Sequence, residues 1–159
     1  MIAVYPGTFD PFTNGHLDLL NRSKKIFNQV IVAVAVDTQK KTLFSTQQRV
    51  ALAKQSISKH DNIKVMMFDG LLIDFAKKIN AKVIIRGLRA VSDFEYEFQL
   101  ATMNHNLSSD IETMFLTPSE EYSFLSSSMI KDVVRLGGDA SKYLHPAVFD
   151  ALRQKFSPQ

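Results

Sequence analysis

The feature that most constrains the fold is the run Val-Ile-Val-Ala-Val-Ala-Val at residues 30–36. Every side chain in it is apolar and most are β-branched, so the run lacks the polar and apolar alternation of a half-exposed strand. An apolar strand of this kind is typical of a parallel sheet that helices cover on both faces. The run therefore predicts a buried central strand, and with it an α/β architecture.

Strand-like and helix-like segments alternate along the rest of the chain. The predicted strands cover residues 2–5, 30–36, 63–67, 83–85 and 112–116. The predicted helices cover residues 15–27, 45–57, 71–79, 93–106 and 126–136, and a last short helix follows His145 and Pro146. We therefore predict one α/β domain over residues 1–159, built on a doubly wound, parallel, five-stranded sheet.

Composition excludes several kinds of site and partner. The 159 residues include no cysteine, which rules out disulfides, thiolate metal sites and cysteine nucleophiles. No apolar run approaches the roughly 18 residues of a membrane span, and the first residues lack the features of a signal peptide. We therefore expect a cytoplasmic protein without a membrane partner. The net charge is +3, but the basic residues are scattered, which argues against nucleic-acid binding.

The segments that follow the predicted strands are rich in groups that bind phosphate. In a doubly wound sheet, ligands bind at the carboxyl ends of the strands, so these segments are expected to meet in space. They contain Lys40 and Lys41 after the second strand, Arg86 and Arg89 after the fourth, and His16 after the first. Hydroxyl side chains accompany them. The chain is therefore expected to bind a phosphorylated ligand at this edge.

The first of these segments, YPGTFDPFTNGH at residues 5–16, leads into a predicted helix. Thr13 or Asn14 is expected to cap that helix, and His16 lies in its first turn. Backbone N–H groups and the helix dipole favour an anion there. An ordinary capped helix start, with His16 at the surface, explains the composition equally well. The segment matches neither the dinucleotide fingerprint nor the P-loop.

Other candidates also allow two interpretations. Arg86 directly follows an apolar strand, where a guanidinium suits phosphate recognition, but an internal ion pair is an equal alternative. The serines at 126–128 precede an amphipathic helix, and a simple N-cap needs only one of them. Lys40 and Lys41 alternatively form a solvated loop end. Glu97 alternatively is a solvent-facing charge.

The helix predicted at residues 93–106 carries two apolar stripes on nearly opposite sides. One consists of Phe94, Phe98 and Ala101, and the other of Tyr96, Leu100, Met103 and Leu107. A helix that is apolar on two faces has to be covered on both. We expect the sheet to cover one stripe. Either another subunit or the rest of the same domain covers the second.

Taken together, the motifs resemble a known family. Residues 13–16 fit the [HT]xGH signature of the nucleotidyltransferase superfamily, and residues 125–128 fit its second signature. The combination of YPGTFDPFTNGH, Lys40-Lys41, IIRGLRAVSDFEYEFQLA and YSFLSSSMIK is similar to the bacterial phosphopantetheine adenylyltransferases over nearly the whole chain. The resemblance implies a Rossmann-like nucleotidyltransferase fold. It also implies adenylyl transfer from ATP to 4′-phosphopantetheine, giving dephospho-coenzyme A and pyrophosphate, with Mg²⁺ as cofactor. The family typically forms a homohexamer, a dimer of trimers.

The resemblance implies a role for each matching residue. The catalytic residues it implies are His16, Thr8, Lys40 and Arg89, with His16 donating to the α-phosphate. The residues it implies for phosphopantetheine are Thr8, Lys40, Leu72 and Arg86. The residues it implies for ATP are Thr8, Phe9, His16, Gly87, Leu88, Arg89, Glu97, Tyr122, Ser123, Phe124, Leu125, Ser126, Ser127 and Ser128. No metal ligand can be named from the sequence.

Three alternatives remain open at this point. Another nucleotidyltransferase, such as a cytidylyltransferase or a nicotinamide mononucleotide adenylyltransferase, shares the [HT]xGH signature. A non-catalytic nucleotide-binding regulator would keep the same pocket without turnover. A basic nucleic-acid-binding protein would show steeply salt-dependent binding, but the sequence contains no evident basic surface with stacking aromatic residues.

Overall fold

Five parallel strands form the centre of the molecule in the computed structural model, which describes residues 1–36, 41–89 and 91–157. The strands are β1 (Ile2–Gly7), β2 (Gln29–Ala35), β3 (Ile63–Phe68), β4 (Val83–Gly87) and β5 (Glu112–Leu116). Their order across the sheet is β3-β2-β1-β4-β5, and every pairing is parallel. The predicted fold class is confirmed. The chain leaves β1 in one direction to β2 and β3, then returns to the other side of β1 for β4 and β5.

Helices connect the strands. They are α1 (Asn14–Ser23), α2 (Thr46–Ser56), α3 (Leu72–Lys78), α4 (Val91–Leu107), α5 (Ser127–Arg135) and α6 (Pro146–Phe156). Helix α1 ends at Ser23, four residues before the predicted end at Phe27, because the backbone there changes to turn-type hydrogen bonds such as Ile26 N–H to the Ser23 carbonyl. Phe27 reaches the core from this turn. Helix α6 has 11 residues and is longer than predicted. Across the described parts of the chain, no helix combines the length and the apolar character needed to cross a membrane.

The buried strand β2 explains why residues 30–36 are uniformly apolar. Val30, Val32 and Val34 lie in a cluster with side chains of α1 and α2 on one face of the sheet. Ala33 lies in a separate cluster with side chains of α3 on the opposite face. Both faces of the strand are therefore covered, as a doubly wound sheet requires.

A third cluster of buried side chains joins α2 to α5 and α6. Helix α5 ends with Gly137 at a φ of 84°, a left-handed conformation that glycine adopts readily. The Gly138 N–H donates to the Val133 carbonyl, and the Gly137 N–H donates to the Val134 carbonyl. These two bonds form a Schellman motif, so the predicted glycine C-cap is confirmed. The cluster holds the amino end of α5 beside the carboxyl edge of the sheet.

The two apolar stripes of α4 are both largely exposed. Phe94 and Phe98 from one stripe are 48% and 55% exposed, and Tyr96 and Met103 from the other are 63% and 57% exposed. Among the described side chains of this helix, residues 93–107, the buried one is Glu97, at 9% exposure. The prediction that the sheet covers one stripe is therefore wrong, because the helix turns a carboxylate toward the domain instead.

Candidate active site

The candidate site lies at the carboxyl ends of β1 and β4, which are neighbours in the sheet. The chain order across the sheet reverses here, since β1 is followed by β2 on one side and adjoins β4 on the other. A crevice forms where successive connections diverge in this way, and ligands of doubly wound sheets bind there. The segments that contain His16, Arg86 and Arg89 all start from this edge.

His16 is held by a capping box at the start of α1. The Thr13 hydroxyl accepts a hydrogen bond from the His16 N–H at 3.4 Å, and His16 Nδ1 accepts one from the Thr13 N–H at 3.0 Å. Histidine thus takes the position where a capping box usually has Glu or Gln. Because a backbone N–H can only donate, Nδ1 must be the acceptor, and a neutral ring then has its proton on Nε2. The capping box therefore orients the histidine and selects its tautomer.

The surroundings of His16 keep its ring neutral. The ring centroid lies 5.0 Å from that of Phe9 and 5.3 Å from that of Phe12. Burial lowers the pKa of His16 from 6.5 to about 4, and the nearby Arg89 guanidinium acts in the same direction. At pH 7 the ring is therefore an uncharged donor through Nε2–H. The alternative interpretation of a plain surface histidine is not what the structure shows.

Asp10 ties the loop after β1 to two other parts of the chain. Its carboxylate accepts hydrogen bonds from the N–H groups of Leu43 and Phe44, both at 2.9 Å, and from Lys131 Nζ at 2.8 Å. Burial acts to raise the pKa of Asp10, but these hydrogen bonds outweigh burial and lower it overall. The carboxylate therefore stays charged and holds the loop against α5 and the segment that precedes α2.

Arg86 forms an internal ion pair with Glu97. Its Nε and Nη2 donate to the two carboxylate oxygens at 2.6 and 2.5 Å, a forked arrangement that fixes the guanidinium plane. Burial acts to lower the pKa of Arg86, but the pair with Glu97 outweighs it and raises the pKa. Nη1 makes a longer contact of 3.4 Å with the Pro6 carbonyl. The ion-pair alternative is thus correct for Arg86, and the solvent-facing alternative for Glu97 is wrong.

The residues after β4 are held against β5 and the segment before α5. The Leu88 N–H donates to the Leu116 carbonyl at 2.9 Å, and Arg89 Nη1 donates to the Leu125 carbonyl at 3.1 Å. A Cβ atom on Gly87 would lie only 2.7 Å from the Leu19 side chain, so a residue without a side chain suits this close packing. Arg89 therefore approaches the site from the β4 side.

The serines at the start of α5 have three different surroundings. Ser126 is the N-cap, since its hydroxyl accepts from the Met129 N–H at 3.1 Å. The Ser127 hydroxyl donates to the Pro11 carbonyl at 2.8 Å and joins α5 to the loop after β1. Ser128 is exposed, and its hydroxyl makes no hydrogen bond with the described residues. The simple-cap interpretation is therefore right for Ser126 alone.

The rest of the predicted segment at residues 122–128 also meets the first loop. A Cβ atom on Gly15 would lie 3.5 Å from both Tyr122 and Leu125. Ser123 and Phe124 are exposed. The N-terminal turn of α1 and the N-terminal turn of α5 are thus adjacent, and both present their amino ends at the same edge of the sheet.

No described contact places Leu72 in this group, and Lys40 lies outside the described residues. Leu72 begins α3, beyond the edge strand β3, and packs with apolar side chains that include Phe68 and Phe75. Within the described residues, no hydrogen bond joins residues 69–71 to the loops after β1, β4 and β5. The described residues also contain no group of three or more His, Asp or Glu side chains that could hold a metal ion.

Sequence reasoning did not identify Asp10, Arg49 or Lys131. Arg49 is buried on α2, and its Nη1 donates to the Thr8 carbonyl at 2.7 Å. A sequence signal for it did exist. Position 49 shares the core-facing spacing of the buried residues 52, 53 and 56, and a cation at such a position has to have a partner inside the protein.

Comparison with known proteins defines the class to which this fold and site belong. Residues 4–133 match the family described as cytidylyltransferase-like, so the chain belongs to this class of nucleotidyltransferases. A Vibrio parahaemolyticus protein described as a nicotinate-nucleotide adenylyltransferase has a similar fold, with a TM-score of 0.71 at 19% identity over 95% of this chain and 97% of that one. The nicotinic acid mononucleotide adenylyltransferase of Plasmodium falciparum has a TM-score of 0.71 at 17% identity over 96% and 94%.

Curated relatives narrow the class further. The protein of Nitrosomonas eutropha is 55% identical over 153 residues, which are 96% of this chain and 93% of that protein. The proteins of an Azoarcus species and of Aromatoleum aromaticum are each 53% identical over 156 residues, or 98% of this chain and 96% of theirs. All three are named phosphopantetheine adenylyltransferase. The chain belongs to the phosphopantetheine adenylyltransferase family.

The state of His16 is open to direct measurement. We predict that its ring titrates near pH 4 rather than 6.5 and remains the Nε2–H tautomer above that pH. ¹⁵N-detected NMR of the two ring nitrogens between pH 3.5 and 8 reports both properties. A midpoint near 6.5, or a proton on Nδ1, would contradict the capping geometry.

The same pKa shift affects stability in a defined direction. The unfolded chain takes up the His16 proton near pH 6.5 and the folded chain only near 4, so acidification between these values favours unfolding. The expected loss is on the order of 1–3 kcal/mol between pH 7 and 4. Urea denaturation of wild type and His16→Gln at both pH values measures it, since the variant should lack this part of the pH dependence.

Proposed function

We propose that the protein transfers the adenylyl group of ATP to 4′-phosphopantetheine and forms dephospho-coenzyme A and pyrophosphate, the penultimate step of coenzyme A synthesis. The names of the curated relatives at 53–55% identity support this substrate pair. The structural observation that carries the proposal is the neutral His16, oriented by its capping box at the junction of β1 and β4. Arg86 and Arg89 start from the same edge.

The proposed reaction suits a site that is lined by hydrogen-bond donors. The phosphate of 4′-phosphopantetheine is anionic near neutral pH and attacks the α-phosphorus of ATP in line. A new P–O bond forms as the bond from the α-phosphorus to the bridging oxygen breaks, and pyrophosphate leaves with the electron pair. The acceptor needs no deprotonation, so the protein contributes position and stabilisation of charge on the phosphoryl oxygens. A neutral histidine donor fits this task better than it fits the role of a base.

On the nucleotide side, His16 donates from Nε2–H to the α-phosphate. Phe9 is buried, with 4% of its surface exposed, so its contact with ATP is through the backbone. Arg89 acts on the charge that develops at the phosphates. The remaining residues that we assign to ATP are Thr8, Gly87, Leu88, Glu97, Tyr122, Ser123, Phe124, Leu125, Ser126, Ser127 and Ser128.

On the acceptor side, Arg86 and Lys40 hold the phosphate of 4′-phosphopantetheine, and Thr8 orients it for attack. The forked pair with Glu97 supports the assignment of Arg86, because it fixes the guanidinium plane and leaves Nη1 with one long protein contact. Leu72 contacts the pantetheine arm.

We include Mg²⁺ as a cofactor that enters with ATP. The described residues offer no group of three His, Asp or Glu side chains, and the Asp10 carboxylate already accepts three hydrogen bonds. The triphosphate oxygens and water would therefore hold the ion, an arrangement that Mg²⁺ commonly adopts. When bound, it would neutralise phosphate charge. We also propose that the enzyme acts in the cytoplasm, where ATP is available, and binds neither membrane nor nucleic acid.

We propose that the protein assembles as a homohexamer, a dimer of trimers. The exposure of both apolar stripes of α4 supports an assembly with more than one interface, since two opposite stripes can face two neighbours. Light scattering tests this directly. The expected mass is six times the 18.0 kDa of one chain, and the mass of a single chain at micromolar concentration would contradict the proposal.

Pyrophosphate release from the purified protein tests the proposed reaction. ATP or CTP is offered as donor with 4′-phosphopantetheine, nicotinamide mononucleotide or nicotinate mononucleotide as acceptor. We expect release only with ATP and 4′-phosphopantetheine together, and dephospho-coenzyme A in equal amount. Turnover with another pair would assign a different nucleotidyltransferase reaction. Nucleotide binding without any turnover would favour the regulator.

The matched control for this assay is a pair of histidine variants. His16→Ala removes the Nε2–H donor and should lower kcat by about 100- to 1,000-fold, the usual effect of losing one transition-state donor. His60→Ala should leave kcat unchanged, because His60 lies before β3 at the opposite end of the strands, beside Lys24. Equal rates for the two variants would remove His16 from its role.

Arg86 and Glu97 can be assigned to a substrate by kinetics. Arg86→Lys keeps the charge but loses the fork, so we expect KM for 4′-phosphopantetheine to rise about tenfold and KM for ATP to change less. Glu97→Gln should raise KM for 4′-phosphopantetheine by a smaller factor, because Arg86 is then held less firmly, and it should also raise KM for ATP, the substrate to which we assign Glu97. The exposed Arg135→Lys serves as the control. A rise in KM for ATP alone in Arg86→Lys would place Arg86 on the nucleotide side.

A further inference from the structure

The side chain of Arg49 is positively charged and almost completely buried. It is 1% exposed and heads the largest fully buried side chains of the described chain. Its hydrogen bonds go to neutral oxygens: Nη1 donates to the Thr8 carbonyl at 2.7 Å and to the Ala35 carbonyl at 2.9 Å, and Nη2 donates to the Thr46 hydroxyl at 2.9 Å. Its Nε is buried without a hydrogen-bond partner among the described residues.

A buried guanidinium lowers the stability of a helix whose face only needs to pack against the sheet. Burying a charge costs several kcal/mol before its partners compensate, and an apolar residue at the same core-facing position of α2 would avoid that cost. Leu52 and Ala53 occupy the neighbouring buried positions of the helix without such a penalty. The contribution of Arg49 therefore comes from the backbone carbonyls and the hydroxyl to which its guanidinium donates.

Arg49 holds the two central strands together where their ladder ends. The β1–β2 register stops at the pair of Gly7 and Val34, and the next carbonyls along each strand, those of Thr8 and Ala35, both accept from Arg49 Nη1. One nitrogen thus bridges the two strands at the edge where the candidate site lies.

The Thr8 carbonyl belongs to the peptide that leads into Phe9, and this peptide has a special conformation. Phe9 has a φ of 51°, a left-handed value that is unfavourable for a residue with a side chain. In a trans peptide the C=O and N–H groups point in opposite directions. Because the carbonyl points to Arg49, the Phe9 N–H points away from it. That N–H makes no hydrogen bond with any described residue.

We propose that Arg49 is a positioning residue: by holding the carbonyls of Thr8 and Ala35, it turns the Phe9 N–H toward the phosphate groups of the substrates. The inference rests on the proposed function, since it deepens the roles of Thr8 and Phe9 at the same site. Arg49 itself does not touch substrate. Burial lowers the pKa of Arg49, and the nearby Asp10 carboxylate acts in the opposite direction.

Kinetics of two Arg49 variants test the proposal against a matched control on the same helix. Arg49→Met removes the charge and all three hydrogen bonds, and Arg49→Lys keeps a charge but loses the planar fork. Val50→Ala disturbs the buried face of α2 but leaves the groups of all three Arg49 hydrogen bonds in place. We expect Arg49→Met to lower kcat about 100-fold, the effect of a small misplacement of reacting groups, with smaller changes in both KM values. Arg49→Lys should fall in between, and Val50→Ala should stay near wild type.

A second readout does not depend on turnover. The ¹H–¹⁵N resonance of the Phe9 amide is followed while inorganic pyrophosphate, a product of the proposed reaction, is added. We expect a downfield shift in wild type and in Val50→Ala, and its loss in Arg49→Met. Where Arg49→Met does not fold, the comparison of Arg49→Lys with Val50→Ala carries the test.

The outcomes separate this inference from the proposed function. Wild-type kcat in the folded Arg49 variants, or an unchanged response of the Phe9 amide, would overturn the positioning role and leave Arg49 as a packing residue. Failure of wild type to turn over any of the substrate pairs would instead overturn the proposed function. In that case the amide response to pyrophosphate still decides whether Arg49 orients the Thr8–Phe9 peptide toward an anion.

Discussion

The hydrogen bond from the Thr13 N–H to His16 Nδ1, 3.0 Å long, is the contact on which the candidate site depends. It satisfies a backbone group at the start of α1, so it stabilises the helix as any capping box does. Because it occupies Nδ1, it also leaves Nε2–H as the single donor of a neutral ring. One local interaction therefore caps the start of the helix, orients the ring and selects its tautomer. A Glu or Gln at position 16 would preserve the cap and lose the imidazole donor.

The remaining polar contacts make the edge of the sheet rigid around that donor. Asp10 joins the first loop to Lys131 on α5, Ser127 joins α5 to the same loop, and Arg89 reaches the Leu125 carbonyl. Each buried polar group has a cost in desolvation that its partners repay only with good geometry. Donors that are held in place in this way need little reorganisation when a ligand binds.

The local parts of this structure were predictable from the sequence, and the long-range contacts were not. The apolar run at residues 30–36 predicts a buried strand because its pattern is contained in neighbouring residues. The positions of His16 and Arg86 follow from the rule that ligands meet the carboxyl ends of strands. The spacing of the buried residues of α2 does mark Arg49 as core-facing, but its partner Thr8, 41 residues away, could not be inferred from it. Glu97 was misjudged because its burial comes from the ion pair with Arg86. Lys40 lies outside the described residues, so its predicted role stays a prediction.

Burial and the neighbouring arginines both act on the titratable groups at this edge of the sheet. Arg86 and Arg89 both lie close enough to Tyr5 to oppose the strong rise that burial causes in the pKa of its hydroxyl, and Arg89 also lowers the pKa of His16. Glu97 compensates part of this charge through its ion pair with Arg86, but both guanidinium groups still disfavour a further positive charge close to them. Burial is the larger cause of the low pKa of His16, and Arg89 adds to it. The ring is therefore a neutral hydrogen-bond donor that lies beside charged guanidinium groups.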